Sequence, residues 1–142
     1  MKRIICFVCF LGMLFFGCQS DDENNGPETI ITSFSGTVQY ENGEPVSNAE
    51  LIIGSRVNRS FGTVAGDAAF LQINDGTFEV TFETEEEVVR YNILIDLYGN
   101  VFTFGEELQC IPGDCGDFSP GESYELTIIL PCTLDECANP DL

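Results

Sequence analysis

Residues 34–53 read FSGTVQYENGEPVSNAELII, and this stretch contains the clearest strand and turn signals in the chain. Phe34, Val38 and Tyr40 alternate with polar residues, which is the period of a half-buried β-strand. Asn42-Gly43 follows, and this dipeptide readily takes the positive φ angles of a tight turn. A second run with the same alternation comes next, at Ala49, Leu51 and Ile53. The stretch therefore predicts two β-strands joined by a turn.

The rest of the chain repeats this pattern. Five later runs of apolar or alternating residues are separated by turn residues, at 70–73, 78–82, 91–97, 101–104 and 124–130. Asn74-Asp75-Gly76, between the first two of these, predicts a hairpin. Residues 55–66 are rich in Ser, Asn and Gly and predict an irregular loop. No stretch has the 3.6-residue period of an amphipathic helix, so about seven short strands predict an all-β sandwich, with the strand order between residues 55 and 105 open.

Three segments carry a resemblance to a known family. The Gly-x-Val strand at 36–38, the turn Asn42-Gly-x-Pro45 and the strand at 49–53 resemble the opening of carboxypeptidase regulatory-like domains. Residues 74–78 and 119–128 resemble the later hairpin and the closing strand of that family. The resemblance spans residues 34–130 and implies a seven-stranded Greek-key, transthyretin-like β-sandwich, which we expect to occupy residues 30–142. Gly43 permits the tight turn, and Pro45 fixes φ at its exit.

The N-terminus has the three regions of a secretory signal. Lys2 and Arg3 precede an apolar run at 4–16, and Gly17-Cys18 ends it. The run has thirteen residues, which is shorter than the roughly 18 that span a bilayer as a helix. A small residue followed by cysteine at this point resembles the lipobox of bacterial lipoproteins. The resemblance implies that residues 1–17 are removed and that Cys18 carries the lipid; the alternative is an ordinary signal cut near Gly17.

The segment after the cysteine is polar and acidic. Residues 18–29 contain nothing large and apolar to bury, so they predict a flexible tether. Its first residues resemble the short acidic export signals by which one group of Gram-negative bacteria moves lipoproteins across the outer membrane; they are Gln19, Ser20, Asp21, Asp22 and Glu23. The expected location is therefore the outer membrane, lipid-anchored and facing the cell exterior. The periplasmic face is the alternative.

The charge of the chain excludes several partners. Removal of the signal would leave Arg56, Arg59 and Arg90 against 24 acidic residues, a net charge of −21. A surface of this charge repels phosphate, so nucleic acid is excluded and the membrane is contacted through the lipid anchor alone. The chain contains no histidine. Ser-His-Asp and Cys-His catalytic systems are therefore excluded, and the histidine-dependent activities of transthyretin-fold enzymes do not transfer.

Four cysteines surround the last predicted strand. Cys110 and Cys115, and likewise Cys132 and Cys137, are separated by four residues. In an exported domain four cysteines predict two disulfides, for which the sequence leaves three connectivities open. A four-thiolate zinc site is the alternative, and a redox pair fits the spacing less well.

Acidic and aromatic residues near these cysteines are weaker candidates. Oxygen ligands for calcium are present at Asp114, Asp117, Asp135 and Glu136, with Asp141 nearby, but the spacing is not that of an EF-hand. Solvated charge is the preferred interpretation, and no metal or cofactor is expected. An exposed aromatic platform is a further alternative, although core packing is expected for most members of the set Phe61, Tyr98, Phe102, Phe104 and Phe118.

These observations favour a lipoprotein without catalytic activity. The expected function is a binding, adhesion or accessory module whose partner is a protein or a glycan at the cell surface. One alternative is a small glycan-active enzyme that uses a carboxylate pair. The runs Glu85–Glu87 and Glu106-Glu107, however, read as solvated turns without a cleft. A purely structural spacer is the other alternative.

Overall fold

A computed structural model of the chain describes residues 28–85, 87–105 and 107–138. The expected signal, the lipidation site Cys18 and the acidic export residues 19–23 lie outside these ranges. The described residues form eight strands and one short helix: β1 (Ile30–Tyr40), β2 (Ala49–Arg59), β3 (Gly62–Ile73), β4 (Thr77–Thr84), β5 (Val88–Leu97), β6 (Asn100–Thr103), β7 (Gln109–Ile111), β8 (Ser123–Leu130) and α1 (Leu134–Ala138).

The strands form two four-stranded sheets. One sheet has the order β4-β1-β8-β7, and the other has the order β3-β2-β5-β6. β1 and β8 run parallel, whereas the other paired strands are antiparallel. The all-β, two-sheet prediction is confirmed. The strand order between residues 55 and 105, which the sequence left open, is β3-β2-β5-β6 with β4 in the opposite sheet.

The structure has one strand more than the seven that the sequence indicated. The added strand is β7, three residues that pair with β8 through Cys110 and Ile128. A segment of three residues is too short to show an alternating pattern, and Pro112 and Gly113 directly after it indicate a turn. Its assignment to a sheet depends on the neighbouring β8 and not on its own sequence.

Residues 55–66 are strand and turn, which corrects the prediction of an irregular loop. β2 continues to Arg59 and β3 begins at Gly62, so the two strands form a long hairpin with Phe61 at its tip. The Ser55 hydroxyl donates to the Asp67 carbonyl at 3.0 Å. A Cβ on Gly66 would lie 2.8 Å from Cγ1 of Val57. The small residues that indicated a loop instead permit the close packing at a β-bulge.

Asn74-Asp75-Gly76 connects the two sheets, which corrects the prediction of a hairpin. β3 pairs with β2, whereas β4 pairs with β1 from Thr37↔Thr77 to Ile30↔Thr84. The Val38 amide donates to the Gly76 carbonyl at 2.7 Å. The turn residues were identified correctly, but the turn passes from one layer of the sandwich to the other instead of returning along the same sheet.

The core contains an aromatic cluster centred on Phe34, which is fully buried. The ring centroid of Phe34 lies 5.5 Å from Tyr91, 5.5 Å from Phe118 and 5.2 Å from Tyr124. These four rings belong to β1, β5, the segment before β8, and β8 itself. Aromatic pairs at such distances stabilise the fold beyond their buried area. Phe34 therefore joins the two sheets.

The two ends of the sandwich differ in charge. We call the end where β1 begins the entry end; Ile30 pairs there with Thr84, and Arg56 pairs with Arg90. We call the opposite end, where β1 and β8 finish at Tyr40 and Leu130, the far end. Arg56, Arg59 and Arg90 are the basic residues between residue 4 and the C-terminus, and all three lie in strand segments near the entry end. Among the described residues, the charged side chains at the far end are all acidic.

Candidate functional site

A recess of about 380 Å³ opens at the far end of the sandwich. One side is the turn into β6 and its first residues, and the other is the loop closed by the second cysteine pair. Its lining consists of Gly99, Asn100, Val101, Phe102, Glu107, Pro131, Cys132, Glu136 and Cys137. The exposed side chains of Tyr98 and Leu134 stand next to lining residues in the chain. The recess therefore combines apolar surface with two carboxylates.

Three hydrogen bonds, two of which involve a side chain, hold the rim of the recess. The Asp96 carboxylate accepts from the Gly99 amide at 2.9 Å, which closes the turn between β5 and β6. Across the recess, Nδ2 of Asn100 donates to the Cys137 carbonyl at 3.4 Å. The Glu41 amide donates to the Cys132 carbonyl at 3.3 Å, which ties the loop to the turn after β1. The rim is thus connected to both sheets.

Glu136 makes the side-chain half of a capping box at the start of α1. Its Oε2 accepts from the Thr133 amide at 2.9 Å and from the Thr133 hydroxyl at 2.8 Å. These two hydrogen bonds, the backbone one first, lower the pKa of Glu136 below its ordinary value. The spacing Thr-x-x-Glu is the sequence signal of such a box. No helix was expected here, because a helix of five residues is too short to show a helical period.

Glu107 is held in a similar way from the β6 side. Its Oε2 accepts from the Thr103 amide at 2.9 Å and from the Thr103 hydroxyl at 3.3 Å. The sequence places Glu107 in an acidic run that is expected to be a solvated turn. Nothing in the sequence indicates that β6 lies beside the last loop. Both carboxylates of the recess are therefore held in place by hydrogen bonds to a threonine.

One requirement of a carboxylate-dependent glycosidase is not met at Glu136. Such an enzyme needs one carboxylic acid with a raised pKa to protonate the leaving group. The hydrogen bonds from Thr133 act in the opposite direction on Glu136. What the recess offers chemically is a fixed negative charge beside the apolar surface of Val101, Phe102 and Pro131. That combination suits a ligand with a cationic group on an apolar stem.

The four candidate cysteines form two local pairs at disulfide distance. The Cα atoms are 5.2 Å apart in Cys110–Cys115 and 5.7 Å apart in Cys132–Cys137. Of the three connectivities that the sequence left open, the structure has the one with two short loops. The first loop supports β5, because the Ile93 amide donates to the Cys115 carbonyl at 2.8 Å. The second loop forms one wall of the recess.

The calcium candidates do not converge. Within the described ranges no group of three or more His, Cys, Asp or Glu side chains is arranged to hold a metal ion. The Asp114 carboxylate accepts from the Gly116 amide at 2.8 Å, and Asp117 donates its amide to the Asp114 carbonyl. Asp135 and Glu136 lie in α1 beside the other cysteine pair. The two halves of the candidate set therefore belong to separate loops.

The aromatic candidates differ in burial and in their position in the sandwich. Phe118 is buried in the core, and Phe102 and Phe104 are half-buried. Tyr98 is exposed at the far end, whereas Phe61 is exposed at the tip of the β2–β3 hairpin. The two exposed rings are therefore at opposite ends of the sandwich and do not form one platform.

Among the described residues there is no helix with the length and apolar character that a membrane span requires. No family model, no curated protein and no solved structure matches the chain significantly.

Proposed function

We propose that the chain is a bacterial lipoprotein anchored in the outer membrane through Cys18. Its domain acts as a non-catalytic binding module that presents the recess at the cell surface. The single observation that carries this proposal is the position of the recess. The chain enters the domain at Ile30, at the entry end, and the recess lies at the far end. An anchor before residue 30 therefore leaves the recess on the end of the domain opposite to its attachment.

The order of the strands supports a more specific fold for the domain. We assign the domain to the transthyretin-like, Greek-key sandwiches that the carboxypeptidase regulatory-like resemblance implies. The chain passes between the two sheets after β1, β3, β4 and β6, and it pairs sequential strands between these crossings. Such alternation supports a Greek-key sandwich. Gly43 has a φ of 86° in the turn of the resembling segment, as the role inferred for it requires.

The chemistry of the recess indicates the class of partner. Glu107 and Glu136 supply two fixed negative charges, and Val101, Phe102 and Pro131 supply apolar surface. The net charge of the chain, −19 for the full sequence, steers cations toward it. We therefore propose a protein partner that inserts an exposed lysine or arginine. Acidic glycans and nucleic acids would be repelled.

Photo-crosslinking on intact cells tests the proposal. A photoreactive phenylalanine analogue at position 101, on the recess, should capture one recurrent partner. The same analogue at position 125, an exposed position on β8, is the matched control and should not. The double change Glu107→Gln and Glu136→Gln removes both charges but keeps hydrogen-bond acceptors for Thr103 and Thr133. It should abolish capture while the unfolding temperature stays the same.

Other outcomes of these experiments would contradict binding at the recess or favour one of the alternative functions. Equal capture at positions 101 and 125, or capture unaffected by the double change, would contradict binding at the recess. No partner at either position would favour a structural spacer. Turnover in a broad glycan-hydrolase screen that disappears in either single glutamine variant would favour the enzyme.

A further inference from the structure

β3 is an edge strand whose outer side is not paired with another strand of the described residues. It is twelve residues long, and in the sheet order β3-β2-β5-β6 no other strand of the described chain pairs with its outer side. Its sequence, GTVAGDAAFLQI, contains one charged residue, Asp67, and neither proline nor lysine. A long outer strand with free amides and carbonyls is a template for another strand.

The other outer strands are protected by length or by charge. β6 has four residues and β7 has three. β4 has eight residues but carries Glu79 and Glu83. Short outer strands and charged outer strands are the usual means of preventing strand addition. In a chain with 24 acidic residues, the weak protection of β3 is specific to that strand.

The bulge in β3 defines where a strand can pair. The register shifts between Gly54 and Arg56, which interrupts the regular edge beside residues 66 and 67. The longer of the two regularly paired parts of β3 is residues 68–73. In its middle Phe70 is 64% exposed and lies opposite Ile52, which lies opposite Leu94 on β5. These three side chains form an apolar row across the outer face of the sheet.

We propose that a second copy of this chain pairs antiparallel with β3, centred on Phe70. Around the two-fold axis Phe70 would face Phe70 of the other copy, and Ala68 would face Gln72. The apolar row of each copy would then continue into the other, giving one eight-stranded sheet with a self-complementary interface. Aromatic side chains placed directly opposite each other are favourable pairs in antiparallel sheets.

The distribution of charge favours a second copy over an unrelated strand. Arg56 and Arg59 lie on β2 behind the first part of β3, where they pair with Ala65 and Gly62. Glu50 lies behind the last part, hydrogen-bonded to Gln72 at 3.2 Å, and Asp75 follows in the turn. An antiparallel copy brings the basic part of one edge beside the acidic part of the other. Two identical edges are therefore complementary in charge.

Photo-crosslinking in the full chain tests this pairing independently of the ligand at the recess. The photoreactive phenylalanine analogue at position 70 should yield a covalent species of twice the chain mass. Its crosslinked peptide should come from residues 68–72 of the second copy. Ile111 is the matched control, because it is also an exposed apolar residue on an outer strand, but in the other sheet. The analogue at position 111 should give no doubled species.

A second measurement covers loss of folding. Phe70→Glu places two carboxylates face to face, so light scattering of the purified full chain should show a monomer where the unchanged chain is a dimer. The unfolding temperature at low protein concentration should stay the same, since this side chain is mostly exposed. A monomeric unchanged chain at every concentration, or crosslinks from position 70 to other proteins only, would overturn the proposal.

Discussion

Replacement of Gly36 by alanine tests how closely the two central strands of the first sheet approach each other. Gly36 has a φ of 147°, which side chains rarely adopt. It lies on β1 opposite Leu126 of β8. A Cβ at this position would overlap the Leu126 carbonyl oxygen and would come within 2.8 Å of its carbon and 2.9 Å of its amide nitrogen. These atoms are backbone, so no side-chain rotation relieves the overlap.

Two costs add for Gly36→Ala. The unfavourable φ costs about 1–3 kcal/mol, and forcing apart a packed pair of strands costs a further amount of about 1–3 kcal/mol. The sum is about 4 kcal/mol, a large part of the roughly 5–15 kcal/mol that stabilises a domain. For a domain of this size we expect the midpoint of thermal unfolding to fall by about 15 °C.

Gly43→Ala is the matched control. Gly43 also has a positive φ, 86°, but nothing lies within 4 Å of the Cβ that alanine would add. Only the conformational cost applies, about 1 kcal/mol, and the midpoint should fall by about 4 °C. Circular dichroism during thermal unfolding measures both. Equal losses for the two variants would refute the argument that backbone approach between β1 and β8 makes Gly36 necessary.

Three further predictions concern ionisation, thiols and the anchor. Burial, and to a smaller extent the charges of Tyr98 and Glu44, raise the pKa of Tyr40 above its ordinary value. The neutral hydroxyl therefore stabilises the folded domain fully below about pH 10, and this stabilisation is lost as the pH rises through the folded pKa. Its hydroxyl is buried without a partner among the described residues, so Tyr40→Phe should leave neutral-pH stability unchanged or raise it by about 1 kcal/mol and reduce the alkaline loss in denaturant titrations. The chain purified from the membrane, denatured without reduction, should show no reactive thiol. Each disulfide loop should contribute about 2 kcal/mol to the free energy of unfolding. Two or more reactive thiols together with bound zinc would contradict the disulfides. Cys18→Ala should give uncut precursor or released protein, while alanine at 20–23 should leave the protein membrane-bound but shielded from added protease; protease resistance of the unchanged chain on intact cells would indicate the periplasmic face instead.

The all-β class could be predicted because alternation is a local property of the chain. Phe34, Val38 and Tyr40 are buried as their spacing indicates, and so are Leu51 and Ile53. The pairing of strands, in contrast, joins residues that are far apart in the sequence. The sequence around Asn74-Asp75-Gly76 specifies a turn, but whether the following strand stays in the same sheet depends on its pairing with β1, about forty residues earlier.

The recess could not be predicted for the same reason. Glu107 and Glu136 are separated by 29 positions, and their proximity results from the place of β6 at the side of its sheet and of α1 after β8. The Thr133-x-x-Glu136 spacing is the local signal of a helix start, but it does not indicate that Glu107 lies nearby. The cysteine spacing indicated two disulfides, and the pairing needed the structure to bring each short loop to bonding distance.

The parallel pairing of β1 with β8 has a consequence for the order of folding. β1 is the first described strand and β8 the last, and their paired residues, such as Ser33 and Ser123, are separated by about ninety positions. Until residues 123–130 are available, β1 has β4 alone as a neighbour, and the Phe34 ring lacks Tyr124. Contacts this distant in sequence make folding slow, typically milliseconds to seconds for sandwiches. A chain delivered N-terminus first therefore keeps its central strand open until residues 123–130 arrive, and every truncation before Ser123 leaves that strand exposed to aggregation and proteolysis.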